Sequence, residues 1–232
     1  MPEDALSLAE AGAITRTGDL WLFRGFSAAD RAIRLTTNSP VNHVGMAITI
    51  DDMPPLMWHA ELGRSLPDVW TGEHHRGAQL HDLNAAVTTW ALKYGQRAWL
   101  RPLEPSVTRE MEDAALRTVS RLDGTPFPSM ASLAGSWLKS RASTLRRRDK
   151  KQDERTKERT EAEKAQEDAD LESAYCAEIV AMTYVEMGLL ASDRPLGWYD
   201  PGRFWSGDRL QLRNGAKLGN EIEVRIEPPQ PT

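Results

Sequence analysis

Two apolar runs separated by a proline turn constrain the fold of this chain more than anything else in it. In Val41-Asn-His-Val-Gly-Met-Ala-Ile-Thr-Ile50, Val44, Met46, Ile48 and Ile50 alternate with His43, Gly45, Ala47 and Thr49, the period of a strand with one face toward a core. Asp51-Asp-Met-Pro-Pro55 supplies the turn, and Leu56-Met-Trp-His-Ala-Glu-Leu62 returns as a second strand, giving an antiparallel pair. His43 falls on the less apolar face, where Gly45 leaves open space beside the imidazole. His59 and Glu61 share one face of the returning strand. A tight turn centred on Met53 places His59 opposite Ala47 and His43 opposite Gly63, diagonal to Glu61.

Around this pair the sequence predicts further strands and helices. Thr17 to Phe23 is a turn feeding a strand, and Ser27 with Asp30 forms a capping box that opens a helix through Ala28, Ala32, Ile33 and Leu35. Gly63 to Gly77 is polar and loop-like, Ala78 to Leu83 a short strand, Asn84 to Tyr94 helical, and Arg97 to Leu103 another strand. Thr108 to Leu122 has apolar residues at helical spacing and ends at Gly124. Glu221 to Ile226 alternates as a half-exposed strand, followed by a proline-rich tail at Pro228, Pro229 and Pro231. Strands grouped with helices in this way predict an α+β fold.

From Lys150 to Asp170 large apolar side chains are almost absent, so this stretch has little to bury. One domain spanning residues 1–232 is expected, with a charged helical or disordered insertion at about 143–171. The 232 residues carry a net charge of -5, with 40% hydrophobic and 27% charged side chains. No global basic field points to nucleic acid. The run from Arg146 to Lys151 is followed at once by acidic residues and reads as a solvated face. No apolar run reaches membrane-span length. One cysteine excludes an intrachain disulfide framework, and Met1-Pro-Glu-Asp4 lacks the features of a secretory signal, so a reducing cytoplasm is the expected compartment.

That cysteine, Cys176, lies in Glu172-Ser-Ala-Tyr-Cys-Ala-Glu-Ile-Val-Ala-Met-Thr-Tyr-Val-Glu-Met-Gly188. Ile179, Val180, Thr183, Tyr184 and Met187 recur at helical spacing, Ser173 is a candidate N-cap and Gly188 a left-handed C-terminal cap. Cys176 would then sit in the first turn, where the helix dipole favours a thiolate. A lone cysteine is more often a small buried hydrophobe, so the nucleophile reading turns on a base elsewhere. His43 supplies one, and His59 or Glu61 a third polar group to fix its ring.

Taken in order, Gly18-Asp-Leu-Trp-Leu-Phe23, Asn42-His-Val-Gly-Met46, Tyr175-Cys-Ala-Glu178 and Tyr199-Asp-Pro-Gly-Arg-Phe204 resemble the motifs of the permuted papain-like YaeF/YiiX family, a circularly permuted branch of the NlpC-type cysteine peptidases. The resemblance implies a papain-like α+β fold, an antiparallel sheet packed on the helix that carries the cysteine, with amidase, peptidase or acyl-hydrolase chemistry. It makes Cys176 the nucleophile and His43 the base. Family members tend to have Glu-Ala where this chain has His59-Ala60. Pattern matching puts His59 in the orienting position, whereas the strand register favours Glu61; His59 is taken as the orienting residue, with Glu61 as its alternate.

Tyr175 is a candidate oxyanion donor alongside the Cys176 amide, with a core aromatic as its other reading. Glu178, on another helix face, is expected to support the site by hydrogen bonding. His74, His75 and His81, with Glu73 and Asp82, lack Cys-x-x-Cys or His-Glu-x-x-His spacing; they read as solvated loop histidines, and no metal or cofactor is expected. The expectation is a cysteine hydrolase acting on a small peptide or acyl substrate through an acyl-enzyme. A non-catalytic binding module and an acyltransferase on the same triad are the alternatives, and the oligomeric state stays open.

Overall fold

The computed structural model of the chain describes residues 5–27, 30–31, 39–126 and 161–227. One sheet is built from β1 (Leu6–Ser7), β2 (Leu20–Arg24), β3 (His43–Ile48), β4 (Leu56–Glu61), β5 (Gly77–Asp82), β6 (Arg97–Arg101) and β9 (Ile222–Arg225), in the order β1-β9-β6-β2-β3-β4-β5. Every junction is antiparallel except β1 with β9. A separate ladder joins β7 (Leu103–Glu104) to β8 (Lys217–Leu218). The helices are α1 (Leu8–Ile14), α2 (Leu83–Tyr94), α3 (Arg109–Leu122) and α4 (Glu161–Glu186). An antiparallel sheet with helices laid on it is an α+β architecture.

Helices cover both faces of the sheet. Val44, Met46, Ile48, Trp58 and Leu80 belong to a core shared with Ile179, Val180 and Tyr184 of α4. Trp21, Phe23, Ala47 and Met57 belong to a second core with Ala11 of α1 and Leu83, Val87 and Trp90 of α2. The alternation in β3 therefore does not divide core from solvent: every residue of β3 and β4 is buried. The open space expected beside Gly45 is also filled, since a Cβ there would lie 2.3 Å from the Met57 sulfur.

Several motif residues fasten one element to another. The Asp19 carboxylate accepts from the Arg16 and Leu103 amides, each at 2.8 Å, which ties the start of β2 to β7. Asn42 accepts from the Gly25 amide at 2.7 Å and donates to Asp30 at 2.9 Å. Ser27 and Asp30 make the reciprocal bonds of the expected capping box; most of the helix expected beyond them lies outside the described residues. Trp58 Nε1 donates to the Thr183 hydroxyl at 3.1 Å, joining β4 to α4. The short helix α1, opened by a capping box of Ser7 and Glu10, was not foreseen in the sequence.

The cysteine helix departs from expectation. It does not start at Ser173: α4 already runs from Glu161, and Cys176 lies in its interior. The Glu-, Ala-, Lys- and Gln-rich stretch has high intrinsic helix propensity, so the acidic end of the insertion and the cysteine segment form one helix. Residues 143–160 of the insertion, and Pro228 to Pro231, lie outside the described residues.

Gly77 marks where the end of α3 meets the sheet. Ala78 donates to the Thr125 carbonyl and accepts from the Gly124 amide, both at 3.0 Å. Gly77 has φ +123°, and a Cβ on it would lie 2.0 Å from the Thr125 oxygen. Gly77→Ala is expected to cost about 1–3 kcal/mol of stability, measured by urea unfolding. An unchanged midpoint would show that this junction tolerates a side chain.

Candidate active site

Strands β3 and β4 pair Ile48 with Leu56, Ala47 with Met57 and Met46 with Trp58; there the ladder ends, although both strands continue. The register is two residues away from the expected one, in which Ala47 faced His59. Carried onward, it brings His59 level with Gly45 and diagonal to His43. Imidazoles bridge the opened strands. His43 Nε2 lies 3.2 Å from His59 Nδ1, and His59 Nε2 lies 2.9 Å from His81 Nδ1.

Three adjacent strands thus contribute one chain of histidines, all buried. Trp90 of α2 seals it, with ring centroids 4.7 Å from His43 and 4.8 Å from His59. The reading of His81 as a solvated loop residue is corrected: it sits on β5 and is fully buried. Ala78, Gln79 and Leu80, before it on the same strand, are buried as well.

Glu61, the alternate orienting residue, is occupied elsewhere. Its carboxylate accepts from the Arg64 amide at 2.9 Å, the Ser65 amide at 3.2 Å and the Ser65 hydroxyl, closing the turn after β4. The residue that meets the His43 ring is His59.

On the other side of His43, Nδ1 lies 3.6 Å from Glu172 Oε1. Glu172 is one helical turn before Cys176, so both reach the opening from α4. The Val44 amide lies against the Cys176 sulfur, next in sequence to His43. The thiol's own hydrogen bond goes to the Ser173 carbonyl at 3.2 Å. Sequence reasoning missed both Val44 and Glu172; the four-residue spacing of Glu172 from Cys176 is the signal that shows it.

Burial sets the charge states. It holds His43 down at about 3, with the charge of His81 adding to the effect. His59 is lowered by burial, then by His81 and His43. Burial also lowers His81, partly offset by Glu61 and Asp68. The Cys176 thiol is pushed up by burial, against the pull of the Val44 amide and with a further push from Glu172. The thiolate expected from a first-turn position is therefore overturned. A helix-interior cysteine gains nothing from terminal amides, which exist only in the first turn. The resting pair is neutral thiol and neutral imidazole. Iodoacetamide is expected to modify Cys176 at least about tenfold more slowly in the folded protein than in urea-unfolded protein near neutral pH. Equal rates would show an accessible, ionised thiol.

Tyr175 is half-buried against the core, and burial followed by the Glu178 charge raises its phenol. The Cys176 amide beside it lies in the interior of α4, where the carbonyl four residues earlier is its helical partner. The Glu178 carboxyl is raised by burial and faces Gly197 in the Leu196–Trp198 turn, on the aromatic segment rather than at the thiol. Asp82 caps α2 through the Ala85 amide at 2.7 Å. A groove of about 370 Å³ between Pro40, Asp200, Arg203 and Trp205 does not include Cys176. No helix among the described residues is long and apolar enough to cross a membrane.

No family model and no curated protein matches the sequence. Among solved structures, the fold is distantly similar to that of metalloprotein yiiX from Escherichia coli O157:H7 (DUF1105), with a TM-score of 0.44 and 15% sequence identity over 90% of this chain and 88% of that one.

Proposed function

We propose that this chain is a thiol hydrolase of the permuted papain-like kind, with Cys176 as nucleophile, His43 as base and His59 as the group that holds the His43 ring. The observation that carries this reading is the placement of His43: one ring nitrogen is held by His59 at 3.2 Å, while the other turns toward the helix that bears the chain's one cysteine. In such a pair the orienting partner fixes which nitrogen is free to take the proton.

The reaction starts from the neutral pair. The thiol exchanges the Ser173 carbonyl for His43 Nδ1 and passes its proton there as sulfur attacks the carbonyl carbon of an amide or ester. The Val44 amide, which lies against the sulfur, is the backbone donor offered to the developing oxyanion. Glu172 stabilises the imidazolium while it exists. The leaving amine or alkoxide departs with the His43 proton, giving a thioester. Water then loses a proton to His43, attacks the thioester, and the cysteine sulfur leaves and recovers that proton.

A second reading, a non-catalytic binding module, is favoured by one observation: the thiol is 0% exposed and already hydrogen-bonded to Ser173. One experiment separates the two. Folded protein is incubated with a panel of acyl and amide electrophiles and digested for mass spectrometry. The hydrolase reading expects an adduct on Cys176 that disappears in His43→Ala. Absence of any adduct on the folded chain, with full labelling after unfolding, would sink it in favour of the binding module.

A further inference from the structure

Asp68 and His75 belong to the loop between β4 and β5, and Asp123 caps the end of α3. One ligand-type atom from each lies within 4.8 Å of the others. Asp68 is held rigidly: its Oδ1 accepts from the Trp70 amide at 2.9 Å, the Thr71 amide at 2.7 Å and the Thr71 hydroxyl at 3.1 Å, and its Oδ2 from the Leu80 amide at 2.8 Å. Beside this fixed carboxylate, both ring nitrogens of His75 and Oδ1 of Asp123 are buried without a hydrogen-bond partner among the described residues. Buried polar atoms in folded proteins nearly always have partners, and exceptions point to a missing water or ion.

We propose that Asp68, His75 and Asp123 bind a divalent transition-metal cation of the zinc type. One imidazole and two carboxylates are zinc ligands, whereas calcium and magnesium prefer an all-oxygen set. Three protein ligands leave a fourth tetrahedral position for water. Ligand atoms around a tetrahedral zinc stand about 3.3 Å apart, closer than the 4.8 Å limit of this cluster. The Asp123 carboxyl already lies against Asp68 and the Gly124 amide, and the His75 ring, whose nitrogens have no hydrogen-bond partner among the described residues, would close onto this pair around an ion. The ion would clip the β4–β5 loop to the end of α3, beside the Gly77 junction. This site is independent of Cys176 and of the hydrolase reading.

The test uses the full chain, stripped with chelator and dialysed against zinc alone, with bound metal counted by mass spectrometry and cobalt substitution read by visible absorption. One ion per chain is expected, with a dissociation constant of about 1 μM or below. His75→Ala and Asp123→Asn should each weaken binding at least about tenfold, whereas His74→Ala, at an exposed neighbour, and Cys176→Ser should leave it unchanged. Melting of each metal-free variant establishes that it folds; if His75→Ala does not, the shape-conserving Asp123→Asn carries the test. No binding at about 1 mM zinc, binding indifferent to both ligand variants, or binding lost in Cys176→Ser would each overturn the proposal.

Discussion

Acidification from about pH 7 to about pH 5 is expected to remove about 4 kcal/mol of folding stability, a large share of the 5–15 kcal/mol typical of a domain. The cause is the buried histidine chain. His43 and His59 have folded pKa values below their unfolded value near 6.5, so the unfolded chain binds more protons between those limits. Stability is therefore complete above pH 6.5 and falls as pH drops through the window toward the folded value of about 3 for His43. Each histidine contributes a slope of about 1.4 kcal/mol per pH unit. His81 adds in the same direction. Carboxyls raised by burial work the other way: Asp123, raised to about 6 by burial first and the Asp68 charge second, and Asp19, Glu178 and Asp200, each raised chiefly by burial, with solvent screening reducing the share of the half-buried Asp123. Urea unfolding at the two pH values measures the difference. Equal stability would mean that the imidazoles are hydrated or already charged in the folded state.

The second large effect concerns rate. If His59 holds the His43 ring, His59→Ala should lower kcat about ten- to ten-thousand-fold, while His43→Ala and Cys176→Ser approach background. Glu61→Gln should leave kcat nearly unchanged. It should instead lower stability, because the Glu61 carboxylate accepts the Arg64 and Ser65 amides that close the turn after β4. Steady-state kinetics with an acyl or peptide substrate identified by the probe panel, on variants first shown to be folded, decides this. The reverse ranking, with Glu61→Gln severe and His59→Ala mild, would transfer the orienting role to Glu61.

The elements were legible where periodicity and caps coincide. The helices expected at Thr108 to Leu122 and Asn84 to Tyr94 are found at Arg109–Leu122 and Leu83–Tyr94, and the expected capping box of Ser27 and Asp30 forms. The strand pair around the proline turn was legible too, but its register was not. Two prolines and two aspartates in the turn left its centre open, and a two-residue shift preserves the face of every side chain while changing its neighbours. That shift separates the alternate, Glu61, which the expected register favoured, from His59, which pattern matching preferred and which meets the His43 ring. Cys176 was misplaced within its helix for a similar reason: Ser173 has the chemistry of a cap, but favourable helix formers before it carried the helix through. The histidine chain was hidden because His81 sits 22 positions beyond His59, and only the sheet order brings them together. The motif residues Asp19 and Asn42 fasten the scaffold, which their sequence context did not disclose.

The pairing of β1 with β9 has a consequence for how the chain is assembled. Leu6 faces Val224, Ser7 faces Arg225, and the Arg225 guanidinium reaches the Ala5 carbonyl at 2.8 Å. Strand β9 is a wedge between β1 and β6, and it is made more than two hundred residues after β1. During synthesis, β1 and α1 have no sheet edge to join until that last strand leaves the ribosome, so the earliest segment is among the latest to be seated. The pairing also sets the β1 and β9 segments side by side at one edge of the sheet. A short linker across that edge, with new ends cut in the exposed loop at Trp70 to His74, should preserve the strand order while letting the β1 segment be made beside its partner.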